Sequence, residues 1–336
     1  TTQQNPHPRP APDRPVGNAV PGIPTAEGGS AVRSRACARR NAGDGVPYEN
    51  EVLCMKILTI NTHSLQEENY EQKLCWFVES ILKERPDIIA MQEVNQTADA
   101  PLMAPELLAG QYPVPGALPV RQDNHAANVA LRLRNAGVNC YWAWVPIKLG
   151  YGKYDEGVAI LSLGRPIRST DVFPISKVRD YQNWRTRAVL GVQVEGHPDW
   201  FYTVHMGWWD DAEEPFLNQW NTLNACLTTR SLYSAVWLMG DFNAPALVRG
   251  QSYDTIAASG WYDTYHTARI KGDGFTVPGI IDGWRERLGS VDAKGMRLDH
   301  IWCSKNRKVT SSEVLFNGTH YPIVSDHFGV MVTVKE

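Results

Sequence analysis

Several polar residues follow directly on apolar runs of the chain, and their side chains are of types that bind metals or move protons. They are Asn61, Gln92-Glu93, His205, Asp241, Asn243, Asp299 and Ser325-Asp326-His327. Carboxylate and amide oxygens are the ligands that Mg²⁺ prefers, and histidine changes its charge near neutral pH. Taken singly, such residues at strand ends are more often turn formers than ligands. Because the whole set occurs in one chain, we expect a magnesium site with neighbouring acid/base pairs.

The apolar runs that precede these residues have the lengths and residue types of buried strands. We predict strands over Met55–Asn61, Asp87–Met91, Tyr141–Pro146, Gly157–Leu163, Arg187–Val194, Trp200–His205, Ala235–Met239, Arg297–Cys303, Ser312–Leu315 and Gly329–Val334. The spacing of apolar residues predicts helices over Glu68–Glu84, Asn124–Ala136 and Glu213–Thr229. The strands are too many for one open sheet and do not alternate strictly with helices. We therefore expect an α/β domain of two packed sheets flanked by helices, with the polar residues where sheets commonly present ligands.

Composition and charge exclude several classes of protein. Of the 336 residues, 43% are apolar and 21% are charged, with a formal net charge of −3, which is typical of a folded protein and excludes a disordered or fibrous one. No apolar run reaches about 18 residues and the first residues lack the pattern of a signal peptide, so we expect a cytoplasmic protein without a membrane span. The six cysteines form no CxxC pair, which predicts reduced thiols and no zinc site.

Residues 1–54 differ in composition from the rest of the chain. They include eight prolines, six arginines and a single aromatic residue, Tyr48. Such a segment cannot bury enough surface to offset the entropy lost on ordering, so we expect it to be disordered and a single domain to comprise residues 55–336, with Met55 a natural start. The alternative is a basic peptide that binds a partner. Residues 55–336 carry 27 basic and 31 acidic residues without a basic run, which argues against nucleic acid as a partner.

The order of the polar motifs resembles that of the endonuclease/exonuclease/phosphatase superfamily, the DNase I-like proteins. The resemblance includes Gly240-Asp241-Phe242-Asn243 and Ser325-Asp326-His327 and extends over residues 55–336. It implies a four-layer αββα sandwich of two mixed β-sheets flanked by helices. Members of the superfamily cleave DNA, RNA, sphingomyelin, inositol phosphates or sugar phosphates. The motifs therefore indicate phosphoester hydrolysis and leave the substrate open.

The resemblance also implies roles for the carboxylates and amides. Glu93, helped by Asn61 and Asp326, would bind magnesium, with manganese as the alternative ion. Asp241 would orient or deprotonate the attacking water, and Asn243 would hold a phosphoryl oxygen. We expect these five residues to surround the phosphate.

Two histidines would serve the transferring group and the leaving oxygen. By the same resemblance, His327 would stabilise the phosphoryl group while Asp299 orients its other ring nitrogen. For His205 the resemblance implies an acidic partner, Glu156, which would raise the pKa of the imidazole so that it protonates the leaving oxygen. A metal-bound water is the alternative proton donor. Asp155, next to Glu156, is expected to be solvated.

Aromatic residues beside the motifs favour a sugar as the organic part of the substrate. Trp208 and Trp209 follow His205 directly, and Trp284, together with Tyr151 and Tyr154 before Glu156, are candidates for the same surface. A ring stacked on a sugar contributes on the order of 1 kcal/mol. Arg187 is a candidate for contact with the phosphate, and a solvated strand residue is the alternative interpretation. Five other tryptophans are expected to fill the core: Trp76, Trp142, Trp144, Trp237 and Trp302.

Longer segments around the motifs resemble the bacterial maltose 6'-phosphate phosphatases. These segments are 59–64 (TINTHS), 91–96 (MQEVNQ), 154–162 (YDEGVAILS), 205–210 (HMGWWD), 240–245 (GDFNAP) and 276–284 (TVPGIIDGW). The resemblance implies a cytoplasmic, magnesium-dependent phosphomonoesterase that acts on a sugar phosphate. A phosphodiesterase or nuclease of the superfamily is the alternative, and an open groove with a basic rim would favour it over an enclosed pocket with tryptophans. A non-catalytic binding module is the third hypothesis. It is disfavoured because every position of the superfamily motifs carries the expected residue.

Overall fold

The computed structural model describes residues 54–279, 284 and 295–336. These residues form thirteen strands: β1 Cys54–Asn61, β2 Ile88–Thr97, β3 Cys140–Gly150, β4 Tyr154–Leu163, β5 Ile167–Pro174, β6 Ala188–Val194, β7 Trp200–His205, β8 Val236–Asp241, β9 Tyr262–Asp263, β10 Ile270–Lys271, β11 Asp299–Cys303, β12 Val309–Leu315 and β13 Gly329–Lys335. They also form five α-helices: α1 Tyr70–Glu84, α2 His125–Asn135, α3 Phe216–Tyr233, α4 Ser252–Ala258 and α5 Thr264–Thr267. The predicted disordered segment 1–54 lies outside the described residues except for Cys54, with which β1 begins.

The strands form two mixed sheets. The first has the order β10-β12-β13-β1-β2-β4-β3, and the second has the order β5-β6-β7-β8-β11-β9. In the first sheet, β1 is parallel to β2 and antiparallel to β13. In the second, β8 is parallel to β7 and antiparallel to β11. Each sheet thus has a parallel pair near its centre, and most of the candidate residues lie at or near the carboxyl ends of these pairs.

Three apolar clusters lie between four layers of structure. The first cluster joins α1 and α2 to the first sheet and includes Leu58 and Phe77. The second lies between the sheets and includes Ile57 and Trp237, and the third joins the second sheet to α3 and α4 through residues such as Trp220. Ile57 and Leu58 are adjacent in β1 and face different clusters, as the period of a strand requires. The predicted αββα sandwich of two mixed sheets is confirmed.

The two longest helices on the first sheet have local sequences that favour their positions. In α1, the buried residues Leu74, Phe77 and Ile81 recur three or four positions apart and face the sheet. The helix ends at Arg85, which adopts a left-handed conformation before a proline. The helix α2 begins at Asn124, whose side chain accepts a hydrogen bond from a backbone N–H of the first turn. Among the described residues, no helix has the length and apolarity needed to cross a membrane.

The largest difference from the predicted elements concerns β2, which does not end at Gln92-Glu93. The strand continues to Thr97, and its register with β4 shifts between Met91 and Val94. Glu93 has a φ of 50° at this bulge. A β-bulge lets strand pairing continue on both sides of a residue that interrupts the alternation of side chains between the two faces of the sheet. The strand β5 was not predicted, because its residues are polar and partly exposed at a sheet edge.

Candidate active site

Strand register places Asp241 between two other candidate residues. On β7, His205 is paired with Asp241, and on β11, Asp299 is paired with the same residue. The preceding residue, Gly240, has a φ of 151°, and a Cβ atom there would lie 2.0 Å from the carbonyl oxygen of Val204. Glycine therefore allows β7 and β8 to approach closely at this point. As a result, one histidine and two carboxylates lie side by side in the second sheet.

Glu93 reaches the same place from the first sheet. Asn61, the last residue of β1, donates from its amide to Glu93 Oε1 at 2.9 Å and to Asp241 Oδ2 at 3.3 Å. The two hydrogen bonds join the sheets at this point. Burial, together with the negative charges of Glu156 and Asp326, raises the pKa of Glu93. A bound cation would relieve this repulsion between carboxylates.

His327 lies in the loop before β13 and has the partner that was predicted. Its Nδ1 lies 2.8 Å from Asp299 Oδ2, and its Nε2 lies 3.7 Å from Asp241 Oδ2. Burial alone would lower the pKa of His327, but the charges of Asp299 and Asp241 raise it well above its ordinary value. The hydroxyl of Ser325 donates to the carbonyl oxygen of Asn61 at 2.7 Å and so ties this loop to β1. The raised pKa favours the protonated imidazolium next to Asp241.

His205 does not have the partner that the sequence analysis expected. Its Nε2 lies 3.6 Å from Asp241 Oδ2, whereas the carboxylate of Glu156 lies 2.9 Å from Lys148 Nζ. Burial and the positive charges of Arg187 and Lys148 lower the pKa of His205 well below its ordinary value. The expected pairing with Glu156 and the expected rise in pKa are wrong for this physical reason. The lowered pKa favours the neutral form of His205.

Lys148 is a site residue that the sequence analysis missed. It is paired with Glu156 across β3 and β4 because the register shifts between Pro146 and Lys148, which leaves Ile147 as an extra residue. A Cβ atom at Gly150 would lie 2.3 Å from Glu156 Oε2, so glycine leaves room for the buried carboxylate. The available signal was a lone lysine within an otherwise apolar strand. Simple alternation of β3 would not have predicted its partner.

The side chains from both sheets line one cavity of about 300 Å³. We use the name acidic wall for the lining residues Glu93, Asp241 and Asp326. We use the name cationic–aromatic wall for Lys148, Tyr151, Trp184, Arg187 and Trp208. The other lining residues include His205, Asn243 and His327. The cavity thus presents oxygen ligands for a cation, positive charges for an anion, and flat aromatic rings.

Trp184 is a second residue that the sequence analysis missed. Its ring lies 5.4 Å from the ring of Trp208, centroid to centroid, and the guanidinium of Arg185 lies 4.3 Å from its centroid. Arg185 in turn binds Asp211 at 3.0 Å and so links the loop of Trp184 to the loop that follows β7. Trp184 remains 43% exposed. An aromatic residue within the polar segment 180–187 was the signal for such a surface ring.

Two of the aromatic residues predicted to contact substrate do not themselves line the cavity. Trp209 is half-buried and packs against Phe216, with ring centroids 6.3 Å apart. Trp284 is buried, and its indole N–H donates to Asn243 Oδ1 at 3.1 Å. Neither belongs to the described lining of the cavity. Trp208 does line the cavity, so of the two consecutive tryptophans it is Trp208 that is placed to contact a substrate. Residues 281–283 lie outside the described residues.

Three further predictions concern two residues of β4 and Arg187, the residue before β6. Tyr154 is buried and does not belong to the described lining of the cavity, whereas Tyr151 does. Asp155 is buried and accepts a hydrogen bond from the hydroxyl of Tyr181 at 2.7 Å, so the prediction that it is solvated is wrong. Arg187 is 4% exposed and lines the cavity, which excludes the alternative of a solvated strand residue.

The acidic wall has the chemistry of a magnesium site. Glu93 and Asp326 both face the cavity, and Asn61 holds Glu93 in place. The backbone N–H of Asp326 is bound by Glu67, which also accepts a hydrogen bond from His63 Nδ1 at 2.7 Å. Magnesium commonly takes one or two carboxylates and keeps several waters. The residues present therefore fit this ion.

The fold and the site define the DNase I-like class of α/β proteins. The model of the endonuclease/exonuclease/phosphatase family matches residues 58–327. The chain belongs to this family, whose members are hydrolases. In a comparison with curated proteins, nothing matches the chain.

Solved structures include several relatives of this chain. A family protein from Leptotrichia buccalis is 32% identical and has a TM-score of 0.71; the match covers 84% of this chain and 100% of that one. A mannosyl-6-phosphatase from Bacteroides thetaiotaomicron is 16% identical with a TM-score of 0.57, over 84% and 100% of the two chains. TDP2 from Caenorhabditis elegans is 15% identical with a TM-score of 0.52, over 84% and 75%. The last two similarities show the fold alone.

Proposed function

We propose that the protein is a divalent-metal-dependent phosphomonoesterase that acts on a phosphorylated sugar, with maltose 6'-phosphate as the first substrate to test. The observation that carries the proposal is the single cavity that combines the acidic wall with the cationic–aromatic wall. Metal ligands alone would suit any phosphoester. The buried cations and exposed rings beside them suit a terminal phosphate attached to a sugar.

The shape of the site supports a monoester over a nucleic acid. A nuclease needs an open groove with a basic rim along which the backbone can lie. Here the positive side chains Lys148 and Arg187 are buried within the cavity, at 8% and 4% exposure. Residues 55–336 also carry more acidic than basic residues. A small substrate that enters the cavity by one end fits these features.

The rings of the cationic–aromatic wall support a sugar. Trp184 and Tyr151 are 43% and 69% exposed, and Trp208 lies against Trp184. Rings of this kind pack on the apolar faces of sugars, while nearby charged groups bind the hydroxyls. The Bacteroides relative is named a mannosyl-6-phosphatase. The segments that resemble maltose 6'-phosphate phosphatases favour a disaccharide phosphate.

The residues around the phosphate would divide the chemistry between them. Glu93 and Asp326 would hold a magnesium ion, which when bound neutralises charge on the phosphoryl oxygens. Burial and the nearby charge of Asp299, countered in part by His327, raise the pKa of Asp241 to about 7. A carboxylate with such a pKa is well suited to accept a proton from the attacking water near neutral pH. The imidazolium of His327 would stabilise the negative phosphoryl group.

Phosphate release from purified protein tests the proposal. The substrates are maltose 6'-phosphate, mannose 6-phosphate, glucose 6-phosphate and a DNA duplex, each assayed with magnesium, with manganese and with EDTA. We expect release from a sugar phosphate, its loss in EDTA, and its return when magnesium is added in excess. The variant D241N, compared with D99N at the exposed Asp99, links the activity to the cavity.

Three results would contradict the proposal. Release that is unaffected by EDTA would exclude the metal-dependent mechanism. Cleavage of the DNA duplex without release from any sugar phosphate would instead support the nuclease alternative. Binding of sugar phosphates without turnover, in magnesium and in manganese, would support the binding module.

A further inference from the structure

Lys148 and Arg187 form a pair of buried cations in the cationic–aromatic wall. Lys148 Nζ donates to Glu156 Oε1 at 2.9 Å and to the carbonyl oxygen of Trp184 at 3.3 Å. Arg187 Nη1 donates to the same carbonyl oxygen at 2.7 Å. The two cations therefore converge on one backbone atom beside the cavity. Neither belongs to the acidic wall.

The two cations are compensated to different degrees by direct contacts, although the charges of Glu156 and Glu93 favour both of them. Burying a cation is costly unless a carboxylate or a full set of hydrogen bonds compensates it. Glu156 is paired with Lys148, while Arg187 Nε is buried without a hydrogen-bond partner among the described residues. Arg187 donates its two hydrogen bonds from Nη1 to neutral backbone carbonyls, those of Trp184 and Thr186. Both cations line the cavity, and the direct partners of Arg187 Nη1 are neutral, so an anion in the cavity would gain from their charge.

The negative charge of the acidic wall makes positive side chains necessary if the cavity is to bind a phosphate. Glu93, Asp241 and Asp326 line the same cavity of about 300 Å³ and would repel a phosphate. A bound magnesium ion would offset part of this repulsion. A phosphomonoester carries about two negative charges near neutral pH, whereas a phosphodiester carries one. The second charge of the monoester requires a further cation that the diester does not.

We propose that Lys148 is a specificity-determining residue that selects the dianionic phosphate of a monoester over the monoanionic phosphate of a diester. This inference rests on the proposed function of the same cavity. Arg187 was already a candidate for phosphate contact from its sequence position. Lys148 is the added element, because its ammonium group can donate a third hydrogen bond beyond those to Glu156 and Trp184.

Binding of two stable anions tests the role of Lys148. The probes are inorganic phosphate and dimethyl phosphate, titrated calorimetrically at pH 8 in magnesium. For K148Q we expect the dissociation constant of inorganic phosphate to rise about tenfold or more, and that of dimethyl phosphate to change less than about threefold. K148R, which keeps the charge, should retain most of the preference. The control is K177Q, at an exposed lysine of the segment 175–187.

Turnover gives the second readout. The ratio of kcat/KM for 4-nitrophenyl phosphate to that for bis(4-nitrophenyl) phosphate should fall about tenfold in K148Q and stay unchanged in K177Q. K148Q leaves Glu156 buried without its partner, so thermal unfolding is measured alongside. If K148Q does not fold, the double variant K148Q/E156Q, which removes both charges, replaces it in the same titrations.

The outcomes separate this inference from the proposed function. Equal losses on the monoanion and the dianion, or unchanged binding of inorganic phosphate, would overturn the role of Lys148 even if the wild type hydrolyses sugar phosphates. Selective loss of the dianion in K148Q would support the role of Lys148. If the wild type then released no phosphate from any sugar phosphate, only the proposed function would be contradicted.

Discussion

The acidic wall and the cationic–aromatic wall belong to one cavity but are built in different ways. Glu93 and Asp241 lie on strands, and hydrogen bonds from Asn61 fix both across the two sheets. Lys148 and Trp184 belong to a bulged hairpin and to a loop, and they meet through the carbonyl oxygen of Trp184. Glu93 and Asp241 are thus fixed by a residue that bonds to both sheets. Lys148 and Trp184 are held by a contact between segments that are distant in the sequence.

This difference indicates that the two walls have different roles in the proposed reaction. Residues fixed by the sheets have little freedom, which suits groups that must hold a reacting phosphate in one geometry. Trp184 lies in a loop and is partly exposed, and such residues tolerate change, which suits groups that select the substrate. We therefore expect changes in the acidic wall to abolish turnover. Changes in the cationic–aromatic wall should alter substrate preference at nearly constant turnover.

The largest effect is expected for D241N. The substitution keeps the shape of the side chain but removes the base beside His205 and His327, whose Nε2 atoms lie 3.6 and 3.7 Å from Asp241 Oδ2. We expect kcat for the best sugar phosphate to fall about a thousandfold or more. Steady-state kinetics measures this, with D99N as the control. A rise in KM with an unchanged kcat would show that Asp241 does not act in the chemical step.

A smaller effect is expected for D299N, which acts through His327. Asp299 Oδ2 lies 2.8 Å from His327 Nδ1 and fixes the ring. An amide can present its N–H to that nitrogen, which disfavours the protonated imidazole. We expect kcat to fall about a hundredfold with little change in KM. An unchanged kcat would show that His327 needs no orienting carboxylate, and a melt of the variant checks that the fold is intact.

The two tryptophans Trp184 and Trp209 test the second wall. For W184A we expect KM for the sugar phosphate to rise about fivefold to tenfold, because a stacking ring is lost, with kcat nearly constant. For W209A we expect an unchanged KM and a lower melting temperature, because Trp209 packs against Phe216 inside the fold. A larger change of KM in W209A than in W184A would contradict the assignment of the wall.

The smallest expected effect concerns two histidines outside both walls. Burial and the charges of Arg132 and Arg297 lower the pKa values of His125 and His300, respectively, from 6.5 to about 3. The unfolded chain therefore takes up protons below pH 6.5 that the folded protein does not. Each histidine should reduce the free energy of unfolding by about 1.4 kcal/mol per pH unit as the pH falls from 6.5 toward 3.

Urea unfolding at pH 7.5 and 5 measures this loss. Between pH 7.5 and 5, the free energy of unfolding should fall less in H125Q than in the wild type. The difference should equal the contribution of one histidine. Substrate preference at pH 7.5 should stay the same, which separates this residue from the site. An identical pH dependence in both proteins would show that His125 does not stay neutral in the folded state.

The acidic wall could be predicted from the sequence because its chemistry follows from strand ends. Asn61 and His205 end strands in the structure as predicted, and Asp299 pairs with His327. Asp241 ends β8, two residues beyond the predicted end at Met239. The position of Glu93 was predicted for the wrong reason, since β2 continues past it. A bulge leaves no clear mark in the pattern of apolar residues when the strand is buried on both faces.

The cationic–aromatic wall could not be predicted in the same way. The pairing of Lys148 with Glu156 depends on the bulge at Ile147, and alternation alone would put another residue opposite Glu156. Trp184 is placed by the contact of Arg185 with Asp211, which lie in separate loops. Such contacts belong to tertiary structure, so they have no periodic signal in the sequence.

A crystal structure of D241N with maltose 6'-phosphate and magnesium tests the central claim most directly. The account predicts the phosphate between the acidic wall and Lys148, magnesium on Glu93, and a sugar ring against Trp184. It would be contradicted by a phosphate bound outside the cavity, or by a sugar that contacts neither Trp184 nor Trp208.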